Sequence, residues 1–394
     1  IGIDDFDEIN GRFGLKCGDE ILKQFSMCMQ SCINENQKIY ELGNGRFIIM
    51  DLANHSKEDI LELYDELKKS VEVALEENVY RVVYTISVGI VEIDKEMKDY
   101  DTLIKYSDFA LNEAKKKGKN SCYFFTQDKY KQFIRRREIR VELQNAVDHN
   151  FKNFDVYYQP IIDIHTRNLI GAEALMRFKM KRNEQIEFIS PAEFIPILEE
   201  SGLIIPAGRW ILRQAVACCK KWQEFIPEFK VNVNLSYVQI IKSKILDEIK
   251  QALKDFNLKP ALLGIEVTES GYLENTYHYK KLWSSLKEEG ITLILDDYGT
   301  GYSNAYRLSD LTPHYIKIDR VLTQKALSSN YERSILIYII EMAHSLKLNV
   351  CIEGVETEEE LQEIKKLNPD YIQGYLFGKP APEDEFYNRQ IKKK

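Results

Sequence analysis

The chain is expected to be an α/β protein: a C-terminal (β/α)8 barrel with one antiparallel strand, preceded by a smaller α/β layer domain. Three observations predict this. Its 394 residues exceed one ordinary core, while a barrel by itself uses about 250. Beyond about residue 150, short apolar runs alternate with stretches of helical period. The region before it has shorter strands set between Lys- and Glu-rich helices.

In the first region, strands are expected at Arg46–Asp51 and Tyr84–Val91, and a last helix from Tyr100 to Lys117 ends at Gly118. Residue 1 falls inside a strand-like run with no Met and no signal-like apolar stretch, so the chain is expected to be a piece of a longer protein. From Gln127 to Asn150 the helical period continues, with Phe133, Ile134, Val141, Leu143 and Val147 on or near the buried side. The expected boundaries are 1–125 for the first domain, 126–145 for a helical linker and 146–394 for the barrel.

Eight strand-like runs follow: Val156–Ile162, Leu169–Arg177, Lys230–Leu235, Leu263–Val267, Ile291–Asp296, Tyr315–Asp319, Asn349–Glu353 and Tyr371–Leu376. Most are separated by helix-period segments such as Trp210–Phe225, Tyr237–Phe256 and Ser334–Leu346. The first two are joined only by the turn His165–Asn168, and a parallel crossover needs a dozen residues or more. An antiparallel neighbour is therefore expected there.

Composition excludes several functions. Hydrophobic content of 44% and charge of 29% belong to a globular chain, and no run approaches the roughly 20 apolar residues of a membrane span. A net charge of -8 with only short basic clusters gives no groove for DNA or RNA. The seven cysteines form no CxxC pair and read as reduced thiols of a cytoplasmic protein. No histidine pair has the spacing of a zinc site, so a metal would be held by oxygen.

Barrel chemistry sits at the carboxyl ends of the strands, and there the sequence is rich in acids. The ends carry Glu173 with Arg177, Asn234, Glu266 with Glu269, Asp296 with Asp297, Lys317 with Asp319, Glu353 with Glu356, and Gln373. Unpaired carboxylates are costly to bury, and a shared cation is the simplest compensation. Carboxylates and an Asn carbonyl suit Mg2+ or Mn2+, and their density permits two ions. Two such ions suit phosphoryl chemistry, with Lys317 neutralising phosphate charge or orienting water. Glu269 and Asp319 fit orienting or fold-stabilising partners better than ligands. Arg177 fits a phosphate contact better than a purely structural ion pair.

From about residue 140 onward the chain resembles the EAL family of cyclic di-GMP phosphodiesterases. The resemblance rests on ordered motifs: YQPII at Tyr158–Ile162, EALMR at Glu173–Arg177, VNLS at Val233–Ser236, EVTES at Glu266–Ser270, DDYGTGYS at Asp296–Ser303, KIDR at Lys317–Arg320, EGVET at Glu353–Thr357 and QGY at Gln373–Tyr375. It implies that Glu173, Asn234, Glu266 and Asp296 hold a first ion and that Asp297 engages a second. It also implies that Lys317, Glu353, Glu356 and Gln373 organise water and ions, with Glu353 as general base, and that Arg177 meets phosphate. The implied reaction opens one phosphodiester of cyclic di-GMP to give linear pGpG, in a homodimer formed through this domain. Tyr298, Asn304 and Ala305 replace common residues in a loop that the family links to dimerisation, and Lys179–Phe188 lacks the usual His-Pro.

Residues 1–125 resemble a GGDEF domain of ferredoxin-like, cyclase-type fold. The stretches are IDDFDEIN at Ile3–Asn10, CGDEIL at Cys17–Leu22, TISVGI at Thr85–Ile90 and DFALNEAKKKGKN at Asp108–Asn120. The signature itself reads Gly43, Asn44, Gly45, Arg46, Phe47, and the family's other metal Asp aligns with Gly2. Two metal-holding acids have become hydrogen and a cation, so cyclase activity is not expected, and the inhibitory RxxD motif is also absent. Asn10 and Asp19 match guanine-reading positions, and Lys115 and Lys119 match phosphate contacts, so GTP is a possible ligand. A turn-forming Asn and a helix-starting Asp would look the same. A regulatory or dimerising role is expected for this domain. Two other function classes stay open: a cyclic di-GMP receptor that captures without cleaving, and an interaction scaffold that does neither.

Overall fold

The computed structural model describes residues 1–53, 55–76, 82–93, 99–182, 184–268, 276–299, 308 and 312–392. The chain divides into two compact units, Ile1–Arg135 and Arg136–Lys394. Glu269 and Thr300–Ala305 lie outside the described residues.

The first unit is a five-stranded sheet ordered β2-β3-β1-β4-β5, where β1 is Gly2–Ile3, β2 Gln37–Gly43, β3 Arg46–Asp51, β4 Ile86–Ile90 and β5 Cys122–Phe124. Gly43 and Asn44, both with positive φ, form the tip of the β2–β3 hairpin, a conformation natural to Gly and Asn. Ile3, Ile21, Phe25, Met29, Phe47, Leu67 and Ile86 are buried together as its core.

In the second unit, eight strands close on themselves. They are β6 (Phe154–Asp163), β7 (Leu169–Arg182), β9 (Lys230–Asn234), β10 (Leu263–Thr268), β11 (Thr292–Tyr298), β12 (Tyr315–Ile318), β13 (Asn349–Glu353) and β14 (Tyr371–Gln373). Each expected run is a strand. Strand β6 runs antiparallel to both β7 and β14, because in a closed sheet one reversed strand creates two antiparallel pairs. Its short turn into β7 is set by Asp163, whose Oδ1 accepts from His165 N at 3.0 Å and Thr166 N at 2.8 Å, an Asx turn. Beyond the barrel wall β7 continues into a hairpin with β8 (Gln185–Ile189), which occupies the stretch where the His-Pro is missing.

The helix Gln127–Asp148 buries Ile139, Leu143 and Ala146 in the second core, a spacing of four and three residues. Val141, expected near that face, is 52% exposed, since it lies two residues from Ile139 and Leu143 on the helix's other side. Inside the barrel, Ile161, Ile294, Tyr315 and Cys351 form an apolar layer. The polar site lies above it, toward the carboxyl ends.

Candidate active site

Register brings the strand-end residues to one level. Glu173 lies opposite Gln159 on β6 and Asn232 on β9, Glu266 opposite Asn234, and Glu353 opposite Gln373. Period-two alternation then turns these side chains inward. Strand β11 departs from regular pairing between Leu295 and Tyr298, and Asp297 there has φ +56. Such an irregularity re-aims side chains: both Asp296 and Asp297 feel the charge of Glu173 and Lys317.

Lys317 is the centre of the arrangement. Its ammonium, 1% exposed, lies 2.6 Å from Glu353, 2.9 Å from Glu173, 3.1 Å from Glu266 and 3.4 Å from Asp296. Glu173 also accepts from Asn234 Nδ2 at 2.7 Å and Gln373 Nε2 at 2.8 Å. Glu266 accepts from Asn232 Nδ2 at 2.8 Å, and Gln373 reaches Gln159 at 3.1 Å.

One ammonium cannot neutralise four carboxylates in a low-dielectric interior. Burial penalises the Glu173 carboxylate, but Lys317 with Gln373 and Asn234 holds its pKa below the usual range. The surplus negative charge appears on the other acids. Burial, then Glu173, drives Glu266 well upward; burial also raises Asp296 and takes Glu353 to about 8. Asp297 rises to about 6 through burial and the neighbouring Asp296 and Asp319. Burial opposes the charge on Lys317, yet Asp296, Glu173, Glu266 and Glu353 raise its pKa far above the ordinary value.

That surplus fits a divalent cation. Oxygens of Glu173, Glu266 and Asp296 all lie within 4.8 Å of one another, and bonds of roughly 2.1–2.4 Å to a hard cation span about that separation. Asp296 Oδ1 is buried and completes no regular hydrogen bond among the described residues, although the Lys317 ammonium stands 3.4 Å away. An acceptor left that way is costly unless a cation or water completes it.

The other expected residues lie around this centre. Arg177, on the same face of β7 as Glu173, stacks over Tyr157 with its guanidinium 5.5 Å from the ring centroid. Glu356 pairs instead with Arg320 at 2.7 Å, and its backbone N donates to Glu360. Asp319 caps the helix Arg320–Ser328 by accepting from Val321 N at 2.7 Å, a fold-stabilising role. Gly374 makes the last strand end possible, because a Cβ there would meet Val355 O at 1.9 Å. Sequence reasoning passed over Asn232 and Gln159. Asn232 shares a strand face with Asn234 two residues on, and alternation alone could have found it.

In the first unit, Asn10 lies on the helix Phe6–Phe13, and Asp19 is exposed on the helix Leu15–Cys32. Asn10 Oδ1 packs where a Cβ on Gly18 would be, 1.9 Å away, and has no hydrogen-bond partner among the described residues. Lys119 holds Asp5 at 2.6 and 2.8 Å. Lys115 Nζ stands 3.2 Å from where a Cβ on Gly2 would be, and Arg46 pairs with Asp108 at 3.2 Å.

A barrel carrying this carboxylate cluster at its strand ends is the architecture of the EAL domain, and residues 140–380 match that family's model. Residues 1–121 match the model of the diguanylate cyclase, GGDEF domain. The chain belongs to the EAL family, with a GGDEF-family domain before it. It is 31% identical over 386 residues to the signaling protein YkoW of Bacillus subtilis, spanning 97% of this chain and 47% of that protein. It is 28% identical over 397 residues to the cyclic di-GMP phosphodiesterase PdeR of Escherichia coli, spanning 100% of this chain and 59% of that protein. The chain thus spans about half the length of these curated relatives. Among solved structures, the PaMucR phosphodiesterase in complex with c-di-GMP matches with a TM-score of 0.59 and 29% identity, over 63% of this chain and 99% of that one. No helix among the described residues is long and apolar enough to cross a membrane.

Proposed function

We propose that the second unit hydrolyses cyclic di-GMP to linear pGpG with the help of Mg2+ or Mn2+, two ions in all. The observation that carries this reading is the buried ring of Glu173, Glu266, Asp296 and Glu353 around Lys317, negative in excess of what one ammonium balances. Glu173, Asn234, Glu266 and Asp296 would hold one ion and Asp297 would engage the second. When bound, such cations supply Lewis acidity toward phosphate oxygens and acidify water.

The chain's own groups do the rest. Glu353, its pKa lifted to about 8 and its carboxylate held by Lys317, is suited to take a proton from the attacking water near neutral pH. Lys317 fixes the acids relative to one another. Arg177, its guanidinium face against Tyr157, offers planar donors to the phosphodiester. Gln373 orients Glu173, and Glu356 belongs to the outer shell through Arg320.

The first unit regulates or dimerises and is not a cyclase: Gly2, Gly45 and Arg46 stand where acids would hold a cation. Asn10 and Asp19 are its candidate contacts for GTP. The protein acts in the cytoplasm as a homodimer formed through the second unit.

The test is incubation with cyclic di-GMP and Mg2+ or Mn2+, with and without GTP, and chromatography of the product. Linear pGpG is expected from the wild type, with none in EDTA and at least a ~100-fold slower rate in Glu173→Ala. Equal turnover by wild type and variant overturns the site. Tight binding without turnover by the wild type makes the protein a receptor.

A further inference from the structure

At the end of the barrel opposite the carboxylates lies a cavity of about 450 Å³, a size that admits a small molecule. Lys230, Thr292, Tyr315, Asn349 and Tyr371, which line it, are the first residues of β9, β11, β12, β13 and β14. The reaction proposed above uses none of them.

Its charge is one-sided. Lys230, Lys287 and Lys347 line it, and among its described lining residues there is no Asp or Glu, in a chain whose net charge is -8. Lys287 Nζ donates to Thr312 Oγ1 at 3.0 Å, which fixes one ammonium at the rim. His314 Nδ1 accepts from Leu293 N at 2.9 Å, so the neutral ring carries its proton on Nε2 and is a donor. Burial lowers the His314 pKa, and Lys287 and Lys230 lower it further, a sign of the positive field at this mouth. Tyr315 and Tyr371 add aromatic wall, their centroids 5.7 Å apart and their planes nearly perpendicular. The buried Asn232 amide links this floor to the other end: its Nδ2 bonds both Tyr315 Oη and Glu266 Oε1.

We propose that this cavity is a second ligand site, for a small molecule carrying a phosphate group, at the barrel mouth remote from the carboxylates. Three compact ammonium groups in a lining without Asp or Glu among its described residues suit a multiply charged anion. The remaining volume and the two tyrosines accommodate what the phosphate is attached to.

The test is calorimetric titration of the whole chain with inorganic phosphate and, separately, AMP, in EDTA and at low ionic strength, where exposed charges are least screened. EDTA leaves the carboxylate end without a cation that could attract phosphate. Saturable binding is expected, weakened on the order of tenfold or more in a Lys287→Gln, Lys347→Gln double variant and unchanged in Arg177→Gln at the other mouth. Tighter binding of AMP than of phosphate assigns the site to an organic phosphate, and equal binding assigns it to the free ion. The proposal is overturned if neither probe binds saturably, if the lysine variant binds as the wild type does, or if Arg177→Gln alone loses binding.

Discussion

The two units handle acid in opposite ways. In the first, three carboxylates near the sheet have partners of their own: the exposed Asp5 pairs with Lys119, the half-buried Asp108 with Arg46, and the buried Asp4 accepts from Thr85 Oγ1 at 2.7 Å and Ser87 Oγ at 2.8 Å. In the second, four carboxylates share Lys317, and the imbalance appears as raised pKa values at Glu266, Asp296 and Glu353. A site that has balanced its charges internally has little use for a cation. One left negative stores the electrostatic demand that a cation meets.

The sharpest way to break this contrast is to remove the shared ammonium. Lys317→Met is expected to cost the barrel about 3–5 kcal/mol in EDTA, with a smaller loss when Mg2+ is present; urea unfolding followed by circular dichroism measures both. An equal loss under the two conditions would mean that the acids do not attract a cation. Next, Asn232→Leu removes a buried donor from Glu266 and is expected to destabilise by about 1–3 kcal/mol in the same assay.

The pH dependence gives a subtler reading. Glu353 has a folded pKa of about 8 against an ordinary 4.5, so between those values the folded state holds the proton more tightly than the unfolded state does. Its contribution to stability is therefore present at low pH and is lost as pH rises through that window. Melting temperatures of the EDTA-treated protein should fall across it, and Glu353→Gln should flatten the slope. At the small end, Lys119→Ala breaks an exposed ion pair of the first unit and should leave its unfolding midpoint unchanged within error, because surface pairs contribute little. The first unit should also give no cyclic di-GMP from GTP and Mg2+, measured chromatographically in the Glu173→Ala background so that any product would accumulate.

Much of the barrel was legible because its period is local. Alternating apolar runs, turn residues and strand-end acids can be read one segment at a time, and the short His165–Asn168 link disclosed the reversed strand. The β8 hairpin was not legible, since Lys179–Phe188 mixes charge with apolar residues as an exposed loop would. Glu356 illustrates a different limit. Its motif puts it three residues beyond Glu353, but the turn between them sends it to Arg320.

The sequence by itself determined which residue types stand at each strand end, and hence that hard oxygen donors and one lysine would gather at a single barrel mouth. Only the tertiary structure decided that the lysine lies among four of those acids, that Asn232 joins Glu266 to Tyr315, and that the opposite mouth is a lysine-lined cavity. The physical reason is that alternation and period are properties of neighbours along the chain. Charge balance and enclosure are sums over strands up to about two hundred residues apart, as Glu173 and Gln373 are, and no local pattern encodes such sums.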